Sequence, residues 1–108
     1  MRIGINVGLT ANWTAALEVA KKADKYGFDA VSFPDHYQTD KPERGLVCGW
    51  SLYGALTQVT TRIKLVPMVI CRLNYLPGVL AKETMMLALL SGGRFELGIG
   101  AGDFATAH

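Results

Sequence analysis

The sequence predicts an α/β protein built as a parallel βα-repeat, the first half of a TIM (β/α)8 barrel. Three observations carry the α/β class. Four short apolar runs occur at 2–7, 28–34, 63–70 and 95–99, a helical period fills each of the three segments between them, and glycines or prolines punctuate the junctions. Strand-helix alternation with short connections calls for a parallel sheet with right-handed crossovers. An open doubly wound sheet and a (β/α)8 barrel both satisfy this order. A complete barrel takes about 250 residues, so 108 residues would supply its first half, as a single partial-barrel domain over 1–108.

Each element has its own signal. From Arg2 to Val7 the residues alternate, with Ile3, Ile5 and Val7 on one side and Gly4 and Asn6 on the other, so this strand has one apolar face. From about Thr14 to Tyr26, Ala16, Val19, Ala20 and Ala23 fall at helical spacing, while Glu18, Lys21, Lys22 and Lys25 share the opposite face. Gly27 then stands where a left-handed cap costs least. Phe28 to Pro34 read as a second strand, ended by a proline that cannot donate to a ladder.

The polar loop that follows is long for a βα connection, and its Gln38 to Leu46 portion is expected to cover a cavity mouth. Leu52, Tyr53, Leu56 and Val59 predict a helix over about 49–60. The nearly continuous apolar run Ile63 to Ile70 predicts a strand covered on both faces, with Pro67 bending or bulging it, or ending it early. Pro77 to Leu90 form a third helix, apolar on more than one side, that should be buried by more than the sheet alone. Its Met85 and Met86 read as core packing. SGGR breaks this helix, and Phe95 to Ile99 make the fourth strand, ending in GAG.

Composition excludes several function classes. The formal net charge is only +2 and no Lys or Arg block occurs, so neither nucleic acid nor an anionic membrane is an expected partner. Cys48 and Cys71 lie far apart, without Cys-x-x-Cys or a neighbouring His. This points to structural reduced thiols and to no metal site. No stretch approaches the roughly 18 apolar residues of a membrane span, and the start has too short an apolar run for a signal peptide. A soluble cytoplasmic protein is expected.

In parallel α/β proteins ligands sit beyond the carboxyl ends of the strands. Asp35 and His36 occupy one such end, Met68 to Cys71 a second, and Gly100, Ala101, Gly102 and Asp103 a third. Together they would offer an imidazole that exchanges a proton near neutral pH, a carboxylate and approachable backbone. Each also has a plainer reading, since an Asp after a strand caps turns and a His in a polar loop is solvated. GIGAGD is not a dinucleotide fingerprint, because Asp103 stands where G-x-G-x-x-G needs glycine and no helix pattern follows.

Taken in order, GFDAVSFPDHY, the Trp50 helix ending TTRIKLVPMVI, and NYLPGVLAKETMMLALLSGGRFELGIGAGD resemble the bacterial luciferase-like monooxygenase superfamily along nearly the whole chain. Its members are (β/α)8 barrels, one branch using FMN for monooxygenation and another using the deazaflavin coenzyme F420 for hydride transfer. The single His of Asp35-His36-Tyr37 is similar to the deazaflavin branch.

The resemblance implies that His36 transfers a proton beside the reacting carbon and that Asp35 contacts the ring system. It also implies that a bulge with a cis peptide at Met68-Val69 backs the cofactor ring, and that Gly100, Ala101, Gly102 and Asp103 border cofactor or substrate. His108 receives no role. The expectation is therefore an oxidoreductase acting on a small organic substrate with F420, with FMN as the alternative cofactor. A non-catalytic half barrel is the reading from another class. Four strands with unpaired edges and apolar faces would in any case favour a homo-oligomer.

Overall fold

The computed structural model describes residues 1–8, 12–36 and 49–102. Its elements are β1 (Gly4–Asn6), α1 (Trp13–Lys25), β2 (Ala30–Ser32), α2 (Gly49–Val59), β3 (Lys64–Leu65), β4 (Ile70–Cys71), α3 (Pro77–Leu90) and β5 (Ile99–Gly100), with a short 3-10 turn at Arg72–Asn74 before α3. All strand pairs are parallel, β1 with β2, β2 with β3, and β4 with β5. A parallel bridge between Leu65 and Phe95 ties the two groups of strands together.

Strand order thus follows chain order, and α1 lies beside α2 as α2 lies beside α3. A doubly wound sheet would reverse direction at its switch point and place helices on both faces. Here each successive strand adds to the same edge, which is how a barrel wall grows.

The local signals explain the helices. Asn12 caps α1, its Oδ1 accepting from Ala15 N–H at 3.1 Å. Gly27, at φ 88°, closes its other end. Pro77 opens α3 in the first helical turn, where its missing N–H costs nothing. The core lies between helices and sheet. Ala16, Ala20 and Ala23 of α1, Leu52, Tyr53 and Leu56 of α2, and Val31, Phe33, Ile63, Leu65 and Phe95 pack together there, fully or almost fully buried.

The third strand is interrupted at Pro67, as the proline predicts, and two other expectations are corrected. From Leu65 to Ile70 the chain takes five steps, while its neighbour takes four from Phe95 to Ile99, so one extra residue is accommodated at Pro67-Met68-Val69 and the ladder breaks there. The fourth strand narrows correspondingly to the Phe95 bridge and β5.

Helix α3, finally, buries only Leu80 and Leu87. Leu76, Val79, Leu89 and Leu90 are exposed, as are Met85 and Met86, which are therefore not core residues. A helix against one sheet and one neighbouring helix can bury a single stripe, and nothing among the described residues covers the rest.

At the N-terminal rim of the strands, polar side chains hold the loops. Asp24 accepts from the N–H groups of Thr61 (2.9 Å), Arg62 (3.0 Å) and Ile63 (2.8 Å), and from Thr61 Oγ1 (3.2 Å). Asp29 accepts from Ile3 N–H at 2.7 Å. Arg94 donates to carbonyls of Thr57, Thr60, Ile63 and Ser91 and to Thr60 Oγ1, so one guanidinium closes the end of α2 and the entries of two strands.

Candidate active site at the C-terminal rim

Because the strands run parallel, the ends of β2, β3 and β5 lie at one rim, and with them His36 and the Met68-Val69 break. Pro67 is buried, whereas Met68 and Val69 are 57% and 42% exposed, an apolar pair presented to solvent where a side chain would ordinarily turn inward. The Met68–Val69 peptide is cis, as the resemblance implies.

Beneath Met68 a hollow of about 200 Å³ runs over the sheet face opposite the helices, lined by Gly4, Ile5, Asn6, Ala30, Val31, Ser32, Val66 and Met68. His36 is half-buried and stands outside this lining. A larger hollow of about 440 Å³ lies at the opposite rim, between Met1, Ile3, Tyr26, Gly27, Phe28 and Asp29. Its one carboxylate is already engaged by Ile3 N–H, and strand N-terminal ends are not where this architecture builds sites.

Gly100, expected to border the cofactor, and Gly98, which the sequence reading does not single out, both face the neighbouring chain. A Cβ on Gly98 would come within 2.0 Å of Pro67 O, and one on Gly100 within 2.4 Å of Val69 Cγ2. Glycine at these positions lets β5 run against the break in its neighbour, so on that side Gly100 faces protein. Ala101 and Gly102 are exposed beyond it, and Asp103 lies outside the described residues.

Asp35 does not point outward. Only 2% exposed, it accepts from Gly49 N–H through Oδ1 at 2.9 Å and from the Tyr75 hydroxyl through Oδ2 at 2.7 Å. Gly49 opens α2, so the carboxylate sits at a helix N-terminus whose unpaired N–H groups favour a negative charge. A Cβ at Gly49 would lie 2.9 Å from Asp35 Cβ, which leaves glycine as the residue that fits.

An aromatic layer supports the arrangement. Trp50 meets Tyr75 edge-on at 5.6 Å and Phe95 at 6.0 Å, and Tyr53 meets Phe95 at 5.6 Å. The Tyr53 hydroxyl accepts from Phe33 N–H (2.7 Å) and donates to Phe33 O (3.2 Å). Burial pushes its phenol well above the ordinary range, so it stays protonated as a fixed strut under the turn that carries Asp35 and His36.

The structure therefore brings Met68, Val69 and Gly100 into one group and Asp35, His36, Gly49 and Tyr75 into another, the second held together by the bonds from Gly49 and Tyr75 to Asp35. Sequence reasoning missed Gly49, Tyr53 and Tyr75 as supports of the rim. The available signal was slight: a tyrosine two residues before Pro77, and a glycine at a helix start where a capping side chain is usual.

The family model for luciferase-like monooxygenases matches residues 1–108. The chain belongs to this family. An F420-dependent glucose-6-phosphate dehydrogenase from Amycolatopsis mediterranei is 32% identical over 90 residues, 81% of this chain and 27% of that protein. Among solved structures, an F420-dependent secondary alcohol dehydrogenase in complex with an F420-acetone adduct superposes with a TM-score of 0.88 at 28% identity, over 97% of this chain and 33% of that one. The FMN-bound oxygenating constituent of 3,6-diketocamphane monooxygenase from Pseudomonas putida shares the fold, with a TM-score of 0.83 at 24% identity, over 96% of this chain and 30% of that one. The luciferase-like chain thus spans about a quarter to a third of the length of these relatives and forms part of their α/β barrel.

A flavin or deazaflavin ring needs a flat apolar support, approachable backbone at its edge and a proton-exchanging group nearby. Exposed Met68 and Val69, the strand end at Ala101 and Gly102, and His36 on the same rim fit that part of the cofactor. Among the described residues no cluster of three or more His, Cys, Asp or Glu could hold a metal ion. No described helix is long and apolar enough to cross a membrane.

Proposed function

We propose that the chain is the N-terminal part of an oxidoreductase that transfers hydride between coenzyme F420 and a small organic substrate. The observation that supports it most is the placement of an imidazole and an exposed apolar shelf on one rim, His36 beyond β2 and Met68-Val69 beyond β3. When bound, the deazaflavin supplies the hydride chemistry. The chain's own residues then support the ring at Met68-Val69, border it with the backbone of Gly100, Ala101 and Gly102, and hold a proton at the His36 imidazole, which can give or take one near neutral pH. The F420 dependence of the 32% identical relative favours the deazaflavin over FMN.

Absorbance titration with F420 and with FMN tests the reading. Binding of F420 alone supports it, and binding of FMN alone replaces it with a flavin monooxygenase. Binding of neither turns it into a non-catalytic half barrel. With cofactor bound, His36→Ala should slow turnover about 100-fold or more while leaving cofactor affinity within a few-fold, the loss expected of a general acid-base.

The exposed apolar face of α3, including Val79, Met86, Leu89 and Leu90, supports self-association. Solution mass measures it directly, and a monodisperse monomer would remove that part of the proposal.

A further inference from the structure

We propose that Tyr75 is a positioning residue for His36, acting through the buried carboxylate of Asp35. The inference rests on the reading of His36 as the proton-transfer group and adds what fixes its place. Asp35 precedes His36 directly, and both of its oxygens are committed within the protein, Oδ1 to Gly49 N–H at 2.9 Å and Oδ2 to the Tyr75 hydroxyl at 2.7 Å.

The three partners come from three separate parts of the rim. Asp35 ends the segment after β2, Gly49 starts α2, and Tyr75 lies in the connection after β4, just beyond the Met68-Val69 break. The Tyr75–Asp35 bond therefore ties the turn that carries the imidazole to the chain that leaves the apolar shelf. Its ring is held in turn by the edge of Trp50 at 5.6 Å.

Strand pairing ties β2 to the chain that enters the shelf, through Val66 N–H to Val31 O at 3.1 Å. The cap from Gly49 fixes the turn against α2, and the Tyr75 bond adds a tie from the turn itself to the chain that leaves the shelf. The bond joins a buried carboxylate to a half-buried tyrosine, and its partial withdrawal from water strengthens it, so that loss of one partner is felt by the other.

The test is nuclear magnetic resonance of the 108-residue chain without cofactor, following the His36 ring nitrogens and backbone amide in the wild type, Tyr75→Phe and Asp35→Asn. Phenylalanine keeps the ring against Trp50 and deletes only the hydroxyl. The expected result is a changed His36 ring-nitrogen signature and a backbone order parameter at position 36 falling from about 0.85 towards 0.6, while amides of Val31 and Leu65 keep their values. Asp35→Asn should move the same signals in the same direction, which keeps the test open should Tyr75→Phe fail to fold.

Unchanged His36 signals in a folded Tyr75→Phe chain would overturn the inference. So would signals that move in Asp35→Asn but not in Tyr75→Phe, because Gly49 alone would then position the turn. Failure of F420 and FMN to bind would remove the proposed reaction and leave this measurement intact.

Discussion

The two rims of the sheet face the same problem and solve it differently. At the N-terminal rim the polar side chains are spent on backbone groups. Asp24 collects three N–H groups and a hydroxyl from the turn before β3, Asp29 holds the start of β1, and Arg94 closes α2 onto two strand entries. At the C-terminal rim one carboxylate is likewise spent, but an imidazole, two apolar side chains and the end of β5 stay accessible. A parallel α/β wall thus concentrates its polar closure at one end, which leaves the other end free to be specialised for binding.

The largest expected effect breaks that contrast from the binding side. Gly98→Ala would set a methyl 2.0 Å from the Pro67 carbonyl oxygen, a backbone atom that cannot rotate away. A loss of about 3 kcal/mol is expected in urea unfolding, at the upper end for overpacking. Gly100→Ala meets only the Val69 side chain and should cost about 1 kcal/mol. Equal costs at the two positions would show that the 67–69 segment is not rigidly seated.

Next comes Arg94→Ala, which strips hydrogen bonds from carbonyls on α2 and the loop before β3, for about 2 to 3 kcal/mol. Arg94→Lys should recover little, because an ammonium cannot reach several carbonyls with a planar fork. Full recovery by lysine would mean that charge near the α2 terminus, rather than the fork, does the holding.

Periodicity made the framework legible. The bounds Pro77 to Leu90 and the Gly27 cap could be read directly, since helical spacing and a glycine stop are local properties of the chain. Pro67 announced the break in the third strand, while the one-residue offset against β5 depends on a partner that a single strand cannot reveal. Met85 and Met86 misled because apolar character reports what a surface would bury, not what is present to bury it.

For the site, position at strand ends located His36 and Met68-Val69 but not what holds them. The Asp35–Tyr75 bond joins residues forty apart in sequence, and no local pattern encodes such a pairing. The plainer reading of Asp35, a carboxylate closing a turn, describes its contacts with Gly49 and Tyr75.

A smaller effect is expected for Asp24→Asn, and it carries a pH signature. Partial burial raises the Asp24 carboxyl, but the N–H groups of Thr61, Ile63 and Arg62 and the Thr61 hydroxyl outweigh it and hold it below the usual carboxylate range. A carboxylate with a lowered folded-state pKa contributes stability that is complete above its unfolded value of about 3.9 and is lost as pH falls through the lower folded value. Asn keeps one acceptor, so a cost of about 1 to 2 kcal/mol is expected near pH 7, shrinking below about pH 4. A cost independent of pH down to 3 would mean that shape, not charge, fastens the turn.

The smallest effect separates two explanations of the firm rim. Lys64 and Glu96 form an ion pair across neighbouring strands near this same end, with side chains 46% and 52% exposed. If charge alone stabilised the rim, removing this pair would cost as much as removing Asp24. Exposed pairs are screened and must order two long side chains, so Lys64→Ala should cost under about 1 kcal/mol and less still in high salt. Asp24 differs in accepting from main-chain N–H groups that would otherwise lack a partner in the turn. A Lys64→Ala cost matching that of Asp24→Asn would shift the origin of the rim's firmness from satisfied amides to net charge, and the difference between the two ends would then be one of electrostatic sign.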